Sequence, residues 1–407
     1  MRSFWFEDGP RSEAAGPDCL LPEPRRAGAR ADPGRLRQGR LQRQAALGIV
    51  ALLCLATGAC SDSGPKASST PLAGPQPATL AFPERGAYTG AYVDFGDTED
   101  GVTLEAIEGF EKLAGKHQAV IASSSHWGKQ DFPAKNVELI SRHGAVPLIF
   151  WLPWDEPYSQ NRPPDRFRLE NILSGMWDGY IAQWADGARA FGKPLLVAWG
   201  IEMNGTWFPW SGFHYGGGKP TGTGSERGYA GPELYKKAFR YVVDRVRARG
   251  ASNVLWGFHA NHYGVPEEIW NTISQYYPGP KYADWLGLSV YGKQFGDPGP
   301  WLSFHHVMEY AYQEICKLDL RKPVIAAEWG VGEFPRSGDK AAWLREAFEA
   351  FKTRYTRIKA AVYWHERWQN EDESYSNLRV NSSPGALAAY REGVADAYWL
   401  GRPLPAK

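Results

Sequence analysis

The sequence predicts a single (β/α)8 barrel, the TIM-barrel architecture of the α/β class, preceded by a signal/lipoprotein segment and a flexible tether. Three observations predict it. From about residue 85 onward, apolar strand-like runs alternate with amphipathic helical stretches, the order that builds a parallel sheet. Many of the runs are apolar throughout, as expected of strands covered on both faces. Eight such runs in about 320 residues match one barrel with loop insertions. The rival, a doubly wound open sheet, lacks its usual cargo site: no G-x-G-x-x-G follows the first run, and no phosphate-binding loop is present. Gly216-Gly217-Gly218 lies in a loop after the fourth run and reads as a flexible rim.

The strand runs fall at 86–93, 117–123, 145–154, 194–201, 254–260, 285–291, 324–328 and 360–364. Helical periodicity fills the intervals, most clearly at 103–115, 172–191, 232–248, 304–318, 340–355 and 384–396. The chain thus divides into a leader with a lipoprotein-type signal peptide (1–60), a flexible tether (61–84) and the barrel (85–407). Residues 35–44 are basic, and 45–59 form an apolar run ending Leu55-Ala56-Thr57-Gly58-Ala59-Cys60. A basic flank, a short apolar core and small residues before a cut site make a secretory signal. The core is shorter than the about 20 residues a membrane span needs. The small residues before Cys60 resemble a lipobox, in which that cysteine is lipidated. Cys60 is therefore expected to anchor an exported protein at a membrane, facing the periplasm or cell surface; plain secretion is the alternative. Residues 61–83 are rich in Ser, Pro, Ala and Gly, without a core pattern.

A formal net charge of +1 over 407 residues gives no electrostatic case for nucleic acid as a partner. Of four cysteines only Cys316 lies in the barrel region, so no disulfide framework holds it. The 18 Trp, 20 Tyr and 18 Phe suit carbohydrate recognition as well as a large core. A monomer is expected.

Two acids stand out. Glu202 follows the apolar run Leu195-Leu196-Val197-Ala198-Trp199-Gly200-Ile201, and Glu328 closes Pro323-Val324-Ile325-Ala326-Ala327. A carboxylate at the end of a buried strand needs a reason. Placed on the barrel they end the fourth and seventh strands, at the C-terminal face where barrel chemistry occurs. Paired carboxylates are the minimum equipment for cleaving a glycosidic bond. The bland alternative is a pair of acids that cap helices or meet arginines.

The block Glu202-Met203-Asn204-Gly205 followed by Trp207-Phe208-Pro209-Trp210 resembles glycoside hydrolase family 26, as do Gly175-Met176-Trp177-Asp178-Gly179-Tyr180-Ile181 and Tyr277-Pro278-Gly279. The similarity runs over roughly residues 85–400. It implies a retaining, endo-acting hydrolase of β-linked polysaccharide, of β-1,4-mannan type, that needs no cofactor. A β-glucanase or exopolysaccharide hydrolase is the alternative, and a non-catalytic surface glycan-binding barrel the second. It also implies that Glu202 is the acid/base and Glu328 the nucleophile, with Tyr291 hydrogen-bonded to the nucleophile and Trp364 flooring the reacting subsite. The family's His before the acid, and its Arg four positions before it, are Ile201 and Ala198 here, which weakens the expectation for mannose. Asn204 is expected to orient Glu202 or bind substrate. Trp207, Trp210 and Trp151 are candidates for stacking on sugar, His126 for a sugar hydroxyl, and Glu366 for a further contact. Catalysis requires a raised pKa for Glu202 and a normal or lowered one for Glu328. His259 and His262 lack metal-site spacing and no H-E-x-x-H occurs, so no metal is expected.

Overall fold

The structure, a computed structural model, describes residues 79–155, 163–224, 227–297, 299–370 and 372–405; the leader, Cys60 and nearly all of the tether lie outside the described residues. Its centre is a closed parallel barrel of β1 (Ala87–Val93), β2 (Val120–His126), β3 (Val146–Leu152), β4 (Leu195–Trp199), β5 (Val254–Asn261), β6 (Trp285–Tyr291), β7 (Val324–Gly330) and β8 (Ile358–His365). Each strand pairs with the next, and β8 returns to β1 in register from Tyr88↔Ala360 to Val93↔His365. Closure removes the sheet edges. A helix follows each strand: α1 (Leu104–Ala114), α2 (Ala134–His143), α3 (Asp178–Phe191), α4 (Ala230–Ala248), the single turn α5 (Ile273–Tyr276), α6 (Phe304–Leu318), α7 (Lys340–Thr353) and α8 (Pro384–Ala395). Among the described residues no helix is long and apolar enough to cross a membrane.

Local chemistry sets the boundaries. The Thr103 side chain accepts from the Ala106 N–H to start α1, and Gly115 ends it at φ 73°. Asp339 and Ser383 cap α7 and α8 in the same way. The expected helix at 172–191 is interrupted by Gly175 at φ 89°, leaving a short turn of helix at Leu169–Leu173 before α3. The second strand begins three residues later than its apolar run suggests. Before it, the Gln118 N–H is already donated to Glu111. α2, absent from the clearest helical stretches, buries only Val137 and Ile140 among its ten residues.

Alternation along the strands sorts side chains between two cores. Trp151 and Trp329 point outward: Trp151 stacks on Trp184 at 4.1 Å, and Trp329 meets Trp343 and Phe351. Phe150, Trp364 and Tyr92 point inward, with Tyr92 stacked on Trp364 at 3.9 Å. β7 carries one residue more than either neighbour across Ala326–Trp329: Leu288↔Ala326 is followed by Ser289↔Glu328, and Ala361↔Ala326 by Tyr363↔Trp329. Such a bulge re-aims a side chain.

Candidate active site

Glu202 lies three residues past the end of β4, in a turn that begins at Gly200 with φ 57°. Its own φ is 52°, a left-handed conformation unusual for a glutamate. The surroundings hold that strain in place. The Glu202 N–H donates to the His259 carbonyl at 2.8 Å, and the Gly205 N–H donates back to the Glu202 carbonyl at 2.9 Å. Gly205 is required here, because a Cβ would lie 2.4 Å from the Trp207 ring. That ring in turn donates Nε1–H to Glu202 Oε2 at 2.7 Å.

Glu328 sits at the bulge of β7, opposite Ser289. The Tyr291 hydroxyl donates to its Oε2 at 2.8 Å. Ser289 and Tyr291, two apart on β6, therefore share the inward face, and Ser289 lies against the carboxyl group of Glu202. His259 Nε2 stands 2.8 Å from Ser289 Oγ. The hydroxyl has one proton; if it is given to the carboxylate, His259 is left donating from Nε2. Burial keeps His259 neutral, its pKa falling to about 3. Oε1 of Glu202 and Oε1 of Glu328 are both buried with no hydrogen-bond partner among the described residues.

Burial raises Glu202 from 4.5 to about 7, against the opposing pull of Ser289 and Trp207. Glu328 is also raised, by burial first and by the charge of Glu202 second, with the Tyr291 hydrogen bond opposing. The expectation of a normal or lowered Glu328 is thus corrected: in a dry site two neighbouring carboxyls resist a second negative charge.

Two further acids surround the pair. Glu99, in the loop after β1, is buried at φ 56° and accepts from Ser124 Oγ at 2.7 Å. Glu366 accepts from Trp364 Nε1 at 2.6 Å and is raised to about 8 by burial and then by Glu99. Tyr263, pushed to about 12 by burial and then by the Glu202 charge, completes the wall beside the acid. Alongside Tyr291 opens a cavity of about 700 Å³ whose lining includes His262, Tyr263, Lys293, Phe295 and Tyr310.

The structure gathers Glu202, Trp207, Tyr291, Glu328 and Trp364 at one end of the barrel. His126 continues the inward face of Ser124 at the end of β2; it is buried, neutral with a pKa of about 4, and neither ring nitrogen has a partner among the described residues. Three candidates are placed differently. Trp151 donates to the Tyr180 hydroxyl at 2.9 Å in the helix layer, so it packs rather than faces the mouth. Trp210 is fully buried, stacked on Phe208, and donates to the Ile201 carbonyl at 2.6 Å. Asn204 is fully buried too, and its side chain bonds to backbone groups at the exit of β5 and not to the Glu202 carboxyl. It donates to the carbonyls of Asn261 and Tyr263 and accepts from the Asn261 N–H at 2.9 Å. It ties the turn of the acid to the loop after β5. Sequence reasoning missed Glu99, Ser289 and Tyr263, which carry no apolar run or motif of their own.

Comparison with known proteins bears on this geometry. The family model described as glycosyl hydrolase family 26 matches residues 164–317, a span that includes Glu202 and Tyr291. Endoglucanase H of Acetivibrio thermocellus is 31% identical over 325 residues, 77% of this chain and 32% of that protein. A mannan endo-1,4-beta-mannosidase of Bacillus subtilis is 31% identical over 203 residues, 49% of this chain and 46% of that protein. The chain thus spans about a third to a half of the length of these relatives. Among solved structures, a modular endo-beta-1,4-mannanase from Cellulomonas fimi superposes with a TM-score of 0.55 at 19% identity, covering 77% of this chain and 72% of that one. The Bacillus subtilis mannanase man26 gives 0.52 at 17% identity, covering 76% and 86%. These structural likenesses speak for the barrel fold, while the sequence matches carry the family. Residues 164–317 of the chain form a glycosyl hydrolase family 26 region.

Proposed function

We propose that the protein hydrolyses internal β-linkages of a polysaccharide with retention at the anomeric carbon. The observation that carries the reading is the pair of buried glutamates. Each accepts through Oε2 from an aromatic donor, and Oε1 of each is buried without a hydrogen-bond partner among the described residues. Glu328 attacks the anomeric carbon while Glu202 gives its proton to the leaving oxygen, so the glycosidic bond breaks as the ester to Glu328 forms. Glu202 then takes a proton from water, whose oxygen displaces Glu328 and frees the sugar. Burial favours one proton shared by the pair; the reaction requires that proton on Glu202, with Glu328 ionised and supported by the Tyr291 hydroxyl.

β-1,4-Mannan is the leading substrate by family membership. A β-glucan reading is favoured by one observation, Ile201 in place of the histidine expected before the acid, and agrees with the name of the relative matched over the greater share of the chain. Export as a lipid-anchored protein belongs to the same proposal and rests on the apolar run before Cys60.

A reducing-sugar assay on mannan, mixed-linkage β-glucan and xylan tests the activity, with the initial product anomer read by proton NMR. Hydrolysis with a β-anomer formed first, lost in both Glu202→Gln and Glu328→Gln, supports it. Binding without hydrolysis on every β-glycan leaves the surface glycan-binding barrel instead.

A further inference from the structure

Away from the mouth, three ligand-type side chains meet where the strands begin. Glu111 lies in the last turn of α1, His117 in the connection to β2, and His143 is the last residue of α2. One ligand atom from each lies within 4.8 Å of the other two. Glu111 stands between the imidazoles: Oε1 is 2.7 Å from His117 Nδ1, and Oε2 is 3.0 Å from His143 Nε2. The two rings are 4.6 Å apart between centroids. The Gln118 N–H donates to Oε1 at 2.8 Å and fixes the tilt of the carboxylate. Such an outer contact orients a metal ligand as well as it orients an ion pair. His117 Nε2 is buried and has no hydrogen-bond partner among the described residues.

Two imidazoles and one carboxylate, with a fourth position left for water, form a zinc donor set. Calcium and magnesium prefer all-oxygen sites, so this set discriminates against them. The side chains are 18%, 13% and 12% exposed for His117, Glu111 and His143, enough for an ion to enter and too little for water to dominate the site. In the structure the atoms are in hydrogen-bond contact. Tetrahedral bonds of about 2.0–2.1 Å need the donors roughly 3.3 Å apart, so the carboxylate–imidazole contacts of 2.7 and 3.0 Å have to open by roughly 0.3–0.6 Å.

We propose that Glu111, His117 and His143 bind one zinc-type divalent cation that staples α1, the approach to β2 and α2. The ion is structural, on the opposite end of the barrel from Glu202 and Glu328. The spacings of 6 and 26 residues match no local motif, which is why the sequence raises no expectation of it. The proposal is independent of the substrate and of the catalytic reading.

Full-length protein stripped with EDTA and titrated with ZnCl2 by calorimetry tests the site, with thermal unfolding in parallel. One equivalent should bind with a Kd in the micromolar range or tighter, and Tm should rise by several degrees at saturation. MgCl2 should do neither. His143→Gln and Glu111→Gln should weaken zinc binding about 100-fold or more and abolish the rise in Tm. If one of these variants lacks the near-ultraviolet circular dichroism of the parent, His117→Gln replaces it. The absence of saturable binding below about 1 mM zinc overturns the proposal, as does unchanged affinity in the folded variants.

Discussion

Replacing Glu202 by glutamine should make the protein more stable, and increasingly so as pH rises. In the folded state burial lifts this carboxyl from 4.5 to about 7, which disfavours its anion by about 3 kcal/mol relative to the unfolded chain. The sign follows from proton binding. Between pH 4.5 and 7 the folded state holds the proton that the unfolded state has released, so stability falls as pH rises through that window and levels off above it. Glutamine never ionises and escapes this loss. Its amide oxygen still accepts from Trp207. Removing the Glu202 charge also relieves Glu328, adding to the effect in the same direction. Urea unfolding followed by tryptophan fluorescence, at pH 4 and pH 8, measures the two free energies. The variant should match the wild type at the lower pH and exceed it by about 2–3 kcal/mol at the higher one. A gap that does not change with pH, or one that shrinks, would refute the idea that burial raises this group.

Three other outcomes are expected. Tyr291→Phe removes the hydrogen bond that favours charge on Glu328, so kcat/KM should fall about 10-fold and the acid limb of its pH profile should move upward; an unmoved profile assigns Tyr291 to packing alone. With Ile201 unable to bond a sugar hydroxyl, kcat/KM for mannan should not dominate over mixed-linkage glucan and xylan, the missing contact being worth roughly 1–3 kcal/mol. High activity on mannan alone, undiminished in His126→Ala, contradicts that reasoning. Cys60→Ser should move the protein from the membrane fraction to the soluble one; identical fractionation of both forms rules out the lipid anchor.

The barrel was legible because eight buried strands leave eight apolar runs, and no competing element has that rhythm. Which face a residue takes was not legible. In Leu148-Ile149-Phe150-Trp151-Leu152 every side chain is apolar, so nothing in the pattern says that Phe150 faces inward and Trp151 the helices. The same blindness made Trp210 look like a sugar platform. Glu202 and Glu328 were readable because charge interrupts hydrophobicity there. The raised pKa of Glu328 was not, since it depends on how closely Glu202 approaches from a strand 126 residues earlier in the chain. Glu99 lies in a polar loop where a glutamate is unremarked, and only the fold places it beside Ser124.

The hydrogen bonds of Asn204 have a practical meaning for anyone building chimaeras of this barrel. Its side chain holds Asn261 and Tyr263 while its carbonyl accepts from Val265 N–H at 2.8 Å and Asn271 Nδ2 at 2.9 Å. The turn bearing the acid and the loop leaving β5, separated by some sixty residues of sequence, therefore form one mechanical part. A graft that imports either segment from another barrel without the other would sever four of these bonds at once and tilt Glu202 as it changed the cavity wall. Recombination boundaries drawn outside both segments keep that part whole.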